Sequence, residues 1–214
     1  MKLFFIEHVG LLPLIFQTVL FVGAVFVYFF AKRKAFAAKC FIGGGIGFYI
    51  FYPLLLSLLQ YVTWAADPNL GTSFLTLPLD PATPCPEWLR PLFVEEHGYF
   101  LFYVLGRFWL RAVLGLSTAF LFYFFLQAVM RAKPHALLPV ESLIALMLAL
   151  AAGWPLVLIF ILLTFVFIVL HSVVNLLLKN PRTRIIFALF LAFIVVILFG
   201  DFFKTFFQLS VLTV

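Results

Sequence analysis

Charge is what this chain has least of. Fourteen Lys and Arg and eight Asp and Glu make up 10% of its 214 residues, against about 25% in an average soluble domain. Hydrophobic residues reach 66%, more apolar surface than one aqueous core of this length could bury, so the solvent has to be lipid. Cysteine is nearly missing as well. Cys40 and Cys85 form no CxxC and no metal-ligand spacing, which excludes a disulfide framework and a zinc site. The topology derived below puts them on opposite faces. Also missing are a Ser-His-Asp arrangement, an HExxH, a P-loop and, apart from the adjacent Glu95 and Glu96, any closely spaced carboxylate pair. By motif count alone the sequence supports no enzyme, and it calls for no metal and no cofactor.

What is present is aromatic and apolar, with 31 phenylalanines and a net charge of +6. A basic balance can signal nucleic acid, but here the basic residues fall in short clusters between apolar runs. That is the positive-inside pattern of a multi-pass membrane protein, and no nucleic-acid partner is expected. The N-terminal run continues past Phe30 without a small-x-small cleavage site, so Met1 is expected to be retained.

A bilayer core needs about 20 apolar residues of helix. Six runs qualify or nearly so: 10–31, 40–65, 98–130, 137–153, 155–178 and 185–200. The third is long enough that Arg107 and Arg111 mark a tilted or interfacial first part, with 112–130 able to span alone. Gly153-Trp154-Pro155 predicts a tight hairpin between the fourth and fifth. Residues 201–214 are expected either to continue the last helix or to lie at the interface. Loops 32–39, 131–133 and 179–184 hold nine of the fourteen basic residues and no acid, so they are placed inside. The Pro-rich loop 66–97 holds five acids and is placed outside, where Trp64, Trp88 and Trp154 also fall. The expected fold is therefore an all-α polytopic membrane bundle, a single domain over 1–214, with both termini on the non-cytoplasmic side. It belongs in a bacterial cytoplasmic or organellar inner membrane.

Few residues carry chemistry. Glu141 is the one acid between Glu96 and Asp201 and stands where an apolar run restarts after a basic loop, so it is the candidate catalytic residue. Its plainer reading is a helix cap solvated by interfacial water. Arg107 and Arg111, at i and i+4, share a helix face; they could meet a lipid headgroup, a carboxylate or a proton-relay partner, or simply snorkel to the outer interface. His171 lies inside the fifth run beside Ser172 and one turn before Asn175. It suits a proton path or a neutral histidine bonded to a neighbouring helix, while a haem ligand would want a second intramembrane histidine, and His8, His97 and His135 sit at or beyond the interfaces. Gly43 and Gly47 give a small-xxx-small face for helix packing, within one protomer or between chains. The segment from Glu87 to His97 alternates apolar and charged groups and should lie on the membrane surface or dock a partner.

Three stretches resemble the membrane domain of the type IV prepilin peptidases, a GxGD-type aspartyl protease family. They are Leu143-Ile-Ala-Leu-Met-Leu-Ala-Leu-Ala-Ala-Gly-Trp-Pro-Leu-Val-Leu158; Ile185-Ile-Phe-Ala-Leu-Phe-Leu191 with Leu198-Phe-Gly-Asp201; and Phe120-Leu-Phe-Tyr-Phe-Phe-Leu126. The resemblance covers 112–201 and sets Glu141 where the family has the aspartate of Gly-x-Gly-Asp. Leu138-Pro-Val140 stands in place of the glycines, and the prolines of the last span are Ile186 and Leu189. Aspartyl chemistry needs a second carboxylate close by. The topology puts Asp67 and Asp201 outside, across the membrane from Glu141. The expected function is a non-catalytic subunit of a larger membrane complex, or a degenerate peptidase relative, with lipid and membrane proteins as partners. The alternatives are a proton-path or transport subunit using Arg107, Arg111, His171 and Glu141, and an active peptidase using Glu141.

Overall fold

The computed structural model describes residues 9–67, 71–132, 138–177 and 185–209. The basic residues Lys133, Lys179, Arg182 and Arg184, with His8 and His135, lie outside them. All regular structure among the described residues is helical. In order these are α1 (Leu12–Phe29), α2 (Lys34–Ala65), α3 (Gly71–Thr76), a 3-10 turn (Arg90–Phe93), α4 (Gly98–Val104), a π-helical turn (Leu105–Trp109), α5 (Leu110–Ala132), α6 (Pro139–Ala152), α7 (Leu156–Leu177) and α8 (Ile185–Phe206). Five of these helical runs are long and apolar enough to cross a membrane: α1, α2, the continuous run Gly98–Ala132, α7 and α8. The segment expected to span at 137–153 is α6. Its 14 residues measure about 21 Å, short of a hydrocarbon core of about 30 Å.

The chain divides into two compact units. One is formed by Met1–Phe48 with Leu114–Leu212, the other by Tyr49–Val113. The first is built around α6. Leu, Ala and Met favour helix in this segment, and a helix apolar on all sides must be buried on all sides. Eleven of its residues are buried, and it packs against α1, α7 and α8. Phe160 and Phe193 are fully buried beside it, edge to face with centroids 6.2 Å apart, in the geometry that aromatic quadrupoles prefer. The expected hairpin is present. Gly153 ends α6 at φ 67, ψ 169, a region that side chains with a Cβ avoid, and the Val157 N–H donates to its carbonyl at 2.7 Å. The last helix continues beyond the expected limit of 200. It passes a break at Phe199 (φ −115, ψ 15) and runs on to Phe206, with Lys204 and Asp201 paired at 2.9 Å.

The second unit is a cap of loop and helix on the end of a helical pair. Its proline-rich loop is tied down by backbone acceptors. Arg90 donates to the carbonyls of Pro81 at 2.8 Å and Thr83 at 3.2 Å, the Leu79 N–H to Phe93 and the Tyr99 N–H to Leu77. His97 Nδ1 bonds the Leu75 carbonyl. Gly98 is required where α4 begins, because a Cβ there would sit 1.8 Å from the Phe93 oxygen. Trp64 then meets Phe74, Tyr99, Phe100 and Tyr103, with centroids 5.2–6.2 Å apart. Of the segment expected to lie on a surface, Phe93 is buried and its neighbours Leu92 and Val94 are exposed.

Candidate functional site

Glu141 is assembled by local chain geometry. Leu138 is extended (φ −82, ψ 143) and ends the preceding loop. Pro139 takes the first helical position, where its fixed φ suits the helix and its missing N–H costs nothing. Glu141 is then the third helical residue, and its Oε2 accepts a hydrogen bond from the Leu138 N–H at 3.0 Å. This is the reciprocal half of a capping box. Leucine has no side-chain acceptor for the other half, so the Glu141 N–H donates to the Leu138 carbonyl at 2.9 Å. Next to it Ser142 Oγ donates to the Pro139 carbonyl at 2.8 Å and accepts from Gln127 Nε2 of α5 at 3.0 Å. The capping role expected of Glu141 is present, but its expected surroundings are not. Glu141 is 2% exposed, within packed protein and not in interfacial water. The reason is the shortness of α6, which begins inside the bundle and takes its first turn with it.

The other carboxylate described in this unit is Asp201, and it does not reach Glu141. A Cβ on Gly200 would touch Leu156 Cδ1 at 3.2 Å, which puts that end of α8 beside the hairpin. Glu141 lies 12 residues (153 − 141) before Gly153, about 18 Å along the helix. Among the described residues no three His, Cys, Asp or Glu side chains gather as metal ligands.

Arg107 and Arg111 belong to the second unit, and both are exposed. Between Val104 and Leu110 the helix widens into a π turn, in which the Leu110 N–H reaches back to the Leu105 carbonyl. Such turns recur at functional positions. The Arg107 guanidinium lies over the Tyr103 ring, 5.8 Å from its centroid. Arg111 lies close enough to Arg107 and to Tyr52 on α2 for their charges to act on it. One turn along α2, Ser57 Oγ donates to the Pro53 carbonyl at 2.6 Å and accepts from Trp109 Nε1 at 3.3 Å.

Of the four residues considered for a proton path, Glu141 and His171 thus lie in the first unit and the two arginines in the second. His171 is half-buried on α7, its ring 6.4 Å from that of Phe187. Asn175, one turn on, is buried, and its Nδ2 has no hydrogen-bond partner among the described residues. The comparison with known proteins decides nothing further. No family model, curated protein or solved structure matches the chain.

Among the described residues a Cβ on Gly43 or Gly47 would meet nothing within 4 Å. The packed glycine is the one between them. Gly45 faces Leu150 Cδ1 of α6 at 3.3 Å from its would-be Cβ. The three glycines are two apart, and a step of two turns a helix to its opposite side, so choosing 43 and 47 excluded 45. Gln127, Ser142 and Tyr52 were also missed. For Ser142 a signal existed, since a Pro-x-Glu-Ser run at a helix start concentrates capping groups. Gln127 and Tyr52 carried none, because only packing brings them in.

Proposed function

We propose that the chain is a non-catalytic multi-pass membrane protein that serves as a subunit of a larger membrane complex. One observation carries the first half: the Glu141 carboxyl group is buried at 2% exposure and bonded to the Leu138 N–H of its own helix start. A carboxylate so enclosed is out of contact with any substrate, and an aspartyl mechanism needs a second one within proton-sharing distance. A degenerate relative of the prepilin peptidases, with the catalytic position converted to a cap, fits the same observation.

In this reading α1, α2, the run Gly98–Ala132, α7 and α8 cross the membrane. The short α6 enters from the cytoplasmic side and returns through the Gly153 hairpin, which keeps both termini on the non-cytoplasmic side. The basic loops face the cytoplasm, and a bacterial cytoplasmic or organellar inner membrane is the setting.

Purification in mild detergent followed by native mass measurement is the test. A stable heteromeric complex, unchanged by Glu141→Gln, is expected. A chain that migrates alone would sink the subunit role, and cleavage of a prepilin-like substrate that Glu141→Gln abolishes would restore the peptidase.

A further inference from the structure

The turn between α1 and α2 gathers four positive charges in eight residues, Lys32, Arg33, Lys34 and Lys39, and all four are exposed. Packing fixes where they stand. Phe16 stacks on Phe48 with centroids 4.0 Å apart, and a Cβ on Gly23 would run into the Phe41 ring. The helices α1 and α2 therefore lie side by side and antiparallel up to the turn that joins them. Both are long and apolar enough to cross a membrane, which puts that turn where one leaflet meets water. Lys34 is committed to the fold. Its Nζ donates to the Tyr28 carbonyl at 2.6 Å and lies 5.2 Å from the centre of the Tyr28 ring, at the negative end of the α1 dipole. The other three are not so engaged. Among the described residues the side chains of Lys32, Arg33 and Lys39 have no hydrogen-bond or ion-pair partner, and α2 has no acid in its first turn. Of the two carboxylates described in this unit, Glu141 is enclosed and Asp201 is paired with Lys204.

We infer that Lys32, Arg33 and Lys39 bind the phosphate headgroup of an anionic phospholipid in the leaflet that this turn borders. Charge complementarity selects the occupant, since basic clusters beside spans attract anionic lipid by about fivefold per charge. A phosphate takes charge-assisted hydrogen bonds from the Arg33 guanidinium and from both ammonium groups. Lys39 enters the span by five residues (39 − 34), about 8 Å of helix, and its long stem can carry the ammonium back to the headgroups. Phe29, Phe30 and Phe36 lie exposed on either side of the cluster. These rings suit acyl chains and not water, so the charges between them stand at the level of lipid phosphates and not of a free anion. The inference goes beyond the subunit reading and rests only on its two spans α1 and α2.

The test titrates the full chain, in mild detergent, with phosphatidylglycerol and with phosphatidylcholine of the same acyl chains, and counts bound lipid by native mass measurement. Phosphatidylglycerol should bind about tenfold tighter or better at low salt, and the preference should shrink as salt shortens the Debye length. Lys32→Gln/Arg33→Gln/Lys39→Gln should bring the two lipids close to parity, and Lys32→Arg/Arg33→Lys/Lys39→Arg should keep them apart. Equal binding of the two lipids by the native chain overturns the site, and that comparison does not depend on any variant folding. A preference that survives the triple Gln variant, with thermal unfolding unchanged, overturns it in favour of another basic cluster. Displacement of phosphatidylglycerol by excess inorganic phosphate, but not by chloride at the same ionic strength, overturns it in favour of a free-phosphate site. The subunit reading fails separately, on the mass of the native complex, while the lipid site fails on the ratio of the two lipids.

Discussion

The two units treat charge in opposite ways. In the first, one acidic side chain is drawn into the packed interior and bonded to the backbone of its own helix start, 2% exposed. In the second, two basic side chains lie exposed on one helix face within reach of each other. A charged group serving the fold is enclosed and has a backbone partner, because an enclosed group without one is expensive. Arg107 and Arg111 lie on the surface of a helical run long enough to cross a membrane, so removing either opens no packed interior. The exposure and bonding of a charged residue therefore say more about its role than its rarity does.

The sharpest way to break this contrast is at Glu141. If it holds the fold, Glu141→Ala in the detergent-solubilised chain should lower stability to thermal unfolding by about 2–3 kcal/mol, for the lost charge-assisted bond and the cavity left behind. Glu141→Gln keeps an acceptor for the Leu138 N–H and should lose less than about 1 kcal/mol. Equal losses for both would mean that the charge matters and the cap does not.

Next in size are the glycines of α2. Gly45→Leu forces a side chain against Leu150 and should cost about 1–3 kcal/mol by overpacking. Gly47→Leu meets open space within the chain and should be neutral or gain up to about 1 kcal/mol of helix propensity. The same pair read in native membranes sharpens the picture, for if Gly47→Leu disrupts a complex while stabilising the isolated chain, the open glycine face is an intermolecular one.

Why these positions divided as they did shows how far the sequence could be read. The helical membrane class, the approximate limits of the long helices and the Gly153 hairpin were legible, because apolar run length, basic clusters and a Gly-Trp-Pro turn are local signals. Burial was not. Glu141 reads the same whether it starts a helix at the interface or one that begins within the bundle, and the difference lies in α6 being 14 residues long. Gly45 could not be chosen over Gly43 and Gly47, since which side of α2 faces Leu150 is decided by α6. The π turn at Leu105–Trp109 has no composition of its own. Arg107 and Arg111 were legible as a pair, because i and i+4 is a local relation, but their level with Tyr52 depends on how α2 and α4 stack.

The smallest expected effect tests the other half of the contrast. If exposure sets the effect, Arg107→Gln and Arg111→Gln should each change the stability of the isolated chain by no more than about 0.5 kcal/mol, as exposed substitutions do. Thermal unfolding in the same detergent measures it. Arg111 is the more exacting case, because its interaction with Tyr52 could be structural. A loss above about 1.5 kcal/mol, the scale of a charge-assisted hydrogen bond, would make it the counterpart of Glu141. Arg107, resting on the Tyr103 ring 5.8 Å from its centroid, would then be the one exposed charge of the two whose loss the fold does not feel.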